Sequence, residues 1–131
     1  MIFVDLGGWF VSVVTDDSDY NKAKLWLNKN REPLFTTNYI VDETLTLLRT
    51  RGENQKAMEI GRLFFSDLLA EIYYLTEEDI FQTWQIFQTF SDKDWSFTDC
   101  SSKFICENFR ITHAFSFDKH FRQFGTIIIV P

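Results

Sequence analysis

The chain reads as an α/β protein, a doubly wound, mainly parallel sheet of about five strands with helices on both faces. Two observations predict this class. Five short apolar runs of strand type alternate with longer segments of helical periodicity, the order that builds parallel crossover units. No repeat, low-complexity tract or Pro/Gly-rich linker interrupts the alternation across 131 residues, which suits one domain spanning 1–131.

Ile2-Phe3-Val4 is the first strand, closed by Asp5 and the breaker pair Gly7-Gly8. Trp9 to Val14 is helical or turn-like and leads into the acidic loop Asp16-Asp17-Ser18-Asp19. Lys22 to Asn30 follows as a helix with Ala23, Leu25, Trp26 and Leu27 apolar, stopped by Pro33. Leu34-Phe35-Thr36-Thr37 is the second strand. Asn38 is a plausible N-cap for a helix from Tyr39 to about Arg51, ended by Gly52. A further helix is expected over Gln55 to Leu69, with Met58, Leu63, Phe64 and Leu68 apolar.

Ile72-Tyr73-Tyr74-Leu75 is the third strand. Thr76-Glu77-Glu78-Asp79 has the capping-box pattern and opens a helix to about Phe90. After the turn Ser91-Asp92-Lys93-Asp94, a helix runs from near Thr98 to about Asn108. His113 to Phe117 and Thr126 to Val130 are the fourth and fifth strands.

The composition is that of a soluble folded chain, 45% hydrophobic and 24% charged, with fifteen Phe and four Trp to fill a core. Its formal charge of −6 lacks the basic excess of a general nucleic-acid binder. A nucleic-acid substrate is then compatible only with a carboxylate cluster that holds divalent metal, or with a local basic rim. Cys100 and Cys106 show no zinc-ligand spacing and read as reduced, half-buried thiols. The opening residues have no basic leader region, and no apolar stretch approaches the ~20 residues of a membrane span. A cytoplasmic location is expected.

Four carboxylates stand where a parallel sheet would gather them. Asp5 ends the first strand and Asp118 the fourth; Glu43 lies early in the helix after the second strand, and Asp99 early in the helix before the fourth strand. Strand carboxyl ends and the helix N-termini that follow them share one edge, where ligands of such sheets bind. Carboxylates in one cleft repel one another unless a cation is present, and oxygen donors suit Mg²⁺ or Mn²⁺. Such an ion can activate water against a phosphodiester without any Ser, Cys or His nucleophile.

Each acid also has a structural reading. Asp99 completes the capping box Ser96-Phe97-Thr98-Asp99, Asp42 and Glu43 are first-turn acids that suit the helix dipole, and Asp118-Lys119 is a turn pair. Asp5, directly after a buried strand, calls for a partner or a metal. On the apolar arc of Ile40, Val41, Leu45, Leu47 and Leu48, Glu43 flanks the inner edge and Asp42 turns outward.

These segments resemble the PIN-domain family, and the bacterial VapC-type toxins in particular, over essentially the whole chain. Ile2-Phe3-Val4-Asp5 with Trp9 is similar to the family's opening motif. Thr36 to Thr44 is similar to the second, with Glu43 as its glutamate. Asp94-Trp95-Ser96-Phe97-Thr98-Asp99-Cys100-Ser101 is similar to the third, and Phe115-Ser116-Phe117-Asp118-Lys119-His120-Phe121 to the fourth.

The resemblance implies a metal-dependent endoribonuclease with Asp5, Glu43, Asp99 and Asp118 as metal-ligating catalytic acids. It also implies a homodimer, and an antitoxin that occupies the active-site groove. Thr98 would add a hydroxyl near the metal or cap its helix. Members often carry a small hydroxyl or amide residue two places after the first aspartate. Here that place is Gly7, so a polar contact is missing or comes from backbone.

Arg49, Arg51, Lys103, Lys119, His120 and Arg122 are the candidates for a basic rim, with Lys119, His120 and Arg122 the better placed. Arg49 and Arg51 fall toward the far end of the Glu43 helix, and His113 reads as a strand-end or core histidine.

Other enzymes on such a scaffold fit poorly. A phosphoacceptor receiver needs a lysine at the end of the last strand, where this chain has Ile127 to Pro131. A haloacid-dehalogenase-type phosphatase needs an aspartate at the position of Gly7. A non-catalytic PIN-like interaction module is the remaining alternative.

Overall fold

The computed structural model describes all 131 residues. Five strands, β1 (Ile2–Val4), β2 (Leu34–Thr37), β3 (Glu71–Tyr73), β4 (His113–Phe115) and β5 (Ile128–Val130), form one sheet in the order β3-β2-β1-β4-β5. Every neighbouring pair is parallel. Seven helices connect them: α1 (Leu6–Val13), α2 (Tyr20–Lys29), α3 (Asn38–Thr50), α4 (Asn54–Phe64), α5 (Glu77–Thr89), α6 (Phe97–Asn108) and α7 (Lys119–Arg122).

The chain steps outward from β1 through β2 to β3, then crosses to the other side of β1 for β4 and β5. Right-handed crossovers therefore put α1 to α4 on one face and α5 to α7 on the other. In keeping with this, α1 packs on α2 and α3, α3 on α4, α5 on α6, and α6 on α7. The reversal at β1 opens a crevice between the carboxyl ends of β1 and β4, the place where such sheets bind ligands.

The core is built from the central strands outward. Ile2, Phe3, Val4, Ala114 and Phe115 are buried, and Trp9, Ile40, Leu48 and Phe64 close over one face while Ile105 and Phe121 are buried with them. Trp9 stands edge-on to Phe64 with ring centroids 5.1 Å apart. Its indole N–H donates to Thr36 Oγ1 (3.3 Å), and that hydroxyl donates to the Val4 carbonyl (3.0 Å). Two buried polar groups are thereby satisfied while α1 is tied to β2 and β1.

Several boundaries differ from expectation for physical reasons. Gly7 and Gly8 do not break the chain; both are inside α1. A Cβ on Gly8 would lie 2.6 Å from the Phe115 carbonyl oxygen and 2.9 Å from its ring. The helix runs so close to β4 that only glycine fits, a tertiary demand that local propensity does not carry.

Asn38 is the first residue of α3, and the cap is Thr37, whose hydroxyl accepts from Ile40 N–H. Asp42 and Glu43 therefore lie beyond the first turn, and the helix-dipole reading of these acids falls away. The helix expected over Gln55 to Leu69 runs from Asn54 to Phe64. Its inner face is Ala57, Ile60 and Phe64, while Met58, Leu63 and Leu68 are exposed. Ser96, not Thr98, caps α6. Cys100 and Cys106 are fully buried free thiols rather than half-buried ones, and burial pushes the Cys100 thiol up to about 11. No helix is long and apolar enough to cross a membrane.

Candidate active site

The cleft at the reversal has a volume of roughly 870 Å³. Asp5, Glu43, Asp99 and Asp118 all line it, delivered by four different elements, and Asp94, Asp17 and Asp19 stand on its rim. The structure thus brings together the four carboxylates singled out from the sequence. A second concavity of about 550 Å³ between α3 and α4 is lined by residues such as Leu45, Met58 and Phe65 and contains no acid.

Asp5 is the deepest member, 3% exposed. It caps α1 by accepting from Gly8 N–H (2.7 Å), and its other oxygen accepts from the Ser116 hydroxyl (2.6 Å). Burial pushes its carboxyl up to about 7 against the pull of these two donors, and the negative charges of Asp118 and Asp99 push the same way. The contact expected two places after Asp5 is therefore supplied by backbone at Gly8 and by a hydroxyl from the end of β4. Gly7 itself faces Asp5, with room for a Cβ at 3.6 Å from Asp5 Oδ1.

Asp118 caps the short helix α7, where the pair Asp118-Lys119 alone reads as a turn. Its Oδ1 accepts from His120 N–H (2.9 Å), and its own N–H donates to Ser116 Oγ (3.0 Å). Ser116 thus bridges the ends of β1 and β4. Asp99 completes the capping box of α6, with Oδ2 accepting from Ser96 N–H (3.0 Å). The structural role of this acid is real, and it leaves Oδ1 without a protein partner. Glu43 is half-buried on the inner edge of α3, while Asp42 is exposed, as the periodicity indicated.

Two of the basic-rim candidates stand within the cleft beside the acids. His120 points Nδ1 at Asp99 Oδ2 (3.0 Å) and Asp118 Oδ1 (3.6 Å), so it sits among the carboxylates rather than outside them. Arg51 lines the cleft and lies over the Phe10 ring at 5.8 Å. Glu43 and Leu47 of α3 and Arg51 at its C-cap are spaced i, i+4, i+8, and all three line the cleft. That spacing was the available signal for Arg51. Lys119 also lines the cleft. Arg49 is turned to Asn54, Lys103 pairs with Glu107, and Arg122 is not among the lining residues. His113 opens β4 and contacts Thr112, away from the cleft.

The donor set suits a hard divalent ion. Asp99, Asp118 and His120 offer ligand atoms within 4.8 Å of one another, and no Lys or Arg forms an ion pair with Asp5, Glu43, Asp99 or Asp118. Burial chiefly raises the Asp5 carboxyl, the charges of Asp118 and Asp99 add to it, and a cation bound beside it would favour the charged form.

No family model matches the chain. It is 27% identical over 132 residues to the 23S rRNA-specific endonuclease VapC20 of Mycobacterium tuberculosis, the alignment covering 100% of this chain and 99% of the relative. The same figures hold for the protein of strains CDC 1551 and H37Rv. The crystal structure of M. tuberculosis VapC20, described as a Sarcin-Ricin loop cleaving toxin, superposes with a TM-score of 0.92 at 23% identity, covering 100% of both chains. The chain is thus similar along its whole length to the VapC20 endonuclease in sequence, and it shares the fold of that protein.

Proposed function

We propose that the chain is an endoribonuclease, the toxin of a type II toxin–antitoxin pair, and that it hydrolyses RNA phosphodiesters in the β1/β4 cleft with a divalent cation, Mg²⁺ or Mn²⁺. The observation that carries this reading is the convergence of Asp5, Glu43, Asp99 and Asp118 on one cleft. The endonuclease activity of the VapC20 relatives, whose whole length the chain matches, supports the same class.

Asp5, Glu43, Asp99 and Asp118 would hold the cation, which when bound supplies an acidified water and neutralises charge on the phosphate. The chain's own groups do the rest. Gly8 N–H and Ser116 Oγ fix the Asp5 carboxylate in one orientation. The N-caps of α6 and α7 hold Asp99 and Asp118 in place, so the acids need little reorganisation. Arg51 and Lys119 sit on the cleft wall where they attract the RNA backbone to an otherwise acidic protein.

The toxin reading also carries an antitoxin that covers this groove and a homodimer. The exposed apolar face of α5, Ile80, Phe81, Trp84 and Phe87, supports assembly with a protein partner.

Cleavage of a mixed RNA pool by the purified chain with Mn²⁺, beside EDTA and Asp5→Asn, tests the proposal. Cutting that disappears in both controls is expected. A folded chain that binds no metal and cuts nothing would instead be a PIN-like module that works by binding a partner.

A further inference from the structure

We propose that His120 is a direct ligand of the cation, which makes the centre a mixed nitrogen–oxygen site that prefers Mn²⁺ over Mg²⁺. The inference rests on the metal-dependent reading above and adds a ligand to it.

The geometry carries it. Two ligands about 2.1 Å from one ion in adjacent octahedral positions are about 3 Å apart. His120 Nδ1 is 3.0 Å from Asp99 Oδ2 and 3.6 Å from Asp118 Oδ1, in the range that ligands of one ion span. The imidazole is held there by two features of the chain. Asp118 caps α7 through His120 N–H, so the backbone of His120 is fixed by the neighbouring acid. The side chain is 19% exposed and lines the cleft with the acids instead of reaching into solvent.

Asp99 Oδ2 and Asp118 Oδ1 already accept from the Ser96 and His120 backbones, and the remaining oxygen of each carboxylate has no protein partner. Asp99, Asp118 and His120 each offer one ligand atom within 4.8 Å of the others, and each carboxylate keeps one oxygen free of protein partners. An all-oxygen set is indifferent between Mg²⁺ and Mn²⁺ on donor type. An imidazole is a poor donor for Mg²⁺, which dehydrates reluctantly, and a good one for transition ions.

The competing role for His120 is a hydrogen bond from Nδ1–H to Asp99 that orients the carboxylate without touching the ion. Two measurements separate them. Pulsed EPR on the full chain loaded with Mn²⁺ alone reads nitrogen coupling to the ion. The chain has two histidines, and His113 lies at the opposite end of β4, so a coupling that changes on histidine-specific ¹⁵N labelling assigns His120. Calorimetry with Mn²⁺ and with Mg²⁺ on His120→Asn reads ion preference, because the asparagine amide can keep a hydrogen bond to Asp99 but is a weak ligand.

The expected result is a histidine nitrogen coupling in the unsubstituted chain. His120→Asn is expected to lose about tenfold in Mn²⁺ affinity while Mg²⁺ affinity changes less than about threefold. Bound Mn²⁺ without nitrogen coupling, or equal weakening of both ions, overturns the ligand role and leaves the carboxylate centre standing. Failure of Mn²⁺ to bind at all overturns both. The coupling is read on the unsubstituted chain, so the test holds even if His120→Asn does not fold.

Discussion

Ser116 donates its hydroxyl to Asp5 Oδ2 at 2.6 Å across 111 positions of sequence, and accepts from Asp118 N–H at 3.0 Å. One small side chain at the end of β4 therefore links two of the four acids and favours the charged form of the deeper one. Ser116→Ala removes that support. Its loss leaves Asp5 with Gly8 N–H alone, raises the carboxyl further, and is expected to cost about tenfold in Mn²⁺ affinity at neutral pH. Calorimetry across pH checks this: the deficit shrinks at alkaline pH, where Asp5 ionises without help.

Asp5 also makes stability pH-dependent in the metal-free chain. Its carboxyl is raised from 3.8 to about 7, so the folded state holds a proton between those values that the unfolded state has lost. The contribution is full below about 4, falls as pH rises toward 7, and is level above. Asp5→Asn removes the slope. Denaturant melts should find this variant more stable than the parent above pH 7 without metal, though catalytically dead. Binding of Mn²⁺ near pH 6 should release about one proton, read from the buffer dependence of the calorimetric heat.

Gly7 and Gly8 are adjacent and should respond oppositely to alanine. A Cβ at Gly8 meets the Phe115 carbonyl at 2.6 Å, which backbone cannot yield cheaply, so Gly8→Ala should cost about 1–3 kcal/mol. At Gly7 the nearest atom is 3.6 Å away, and alanine inside a helix gains up to about 1 kcal/mol over glycine. Urea melts of the two variants check both signs.

Tyr73 donates to Asp79 at 2.5 Å, and Asp79 also accepts from Thr76 N–H at 2.9 Å to close the capping box of α5. Burial works to raise the Asp79 carboxyl, but these donors prevail and hold it below its ordinary value. A lowered carboxyl stabilises above its unfolded pKa and loses that contribution as pH falls. Tyr73→Phe should therefore cost about 1–2 kcal/mol near neutral pH. The gap should narrow in acid, as melts at pH 7 and pH 3 would show.

What was legible in the sequence was local. The strand Leu34–Thr37 and the capping boxes at Thr76 and Ser96 are written in neighbouring residues, and the structure has them where composition puts them. The four acids were legible because a parallel sheet sends strand ends to one edge. What stayed hidden depends on contacts between distant segments. Gly8 looks like a breaker until β4 lies against it, and Ser116 looks like an ordinary strand residue until Asp5 arrives. Met58 and Leu63 are apolar but lie on the outer side of α4, whose inner face is Ala57, Ile60 and Phe64, and Leu68 falls beyond its end. His120 looked like one more cation because its neighbour Asp99 is 21 positions away.

The most direct test of the central claim is RNA cleavage by the chain beside Asp99→Asn, with Mn²⁺ and with EDTA. Asparagine retains an oxygen to accept from Ser96 N–H, so the α6 cap survives and only the charge is lost. Cleavage that needs both the metal and Asp99, with at least a hundredfold loss in the variant (on the order of 3 kcal/mol in barrier), is the predicted result. Equal cleavage by the folded variant, or cleavage that persists in EDTA, would contradict a carboxylate-held metal as the source of the activity.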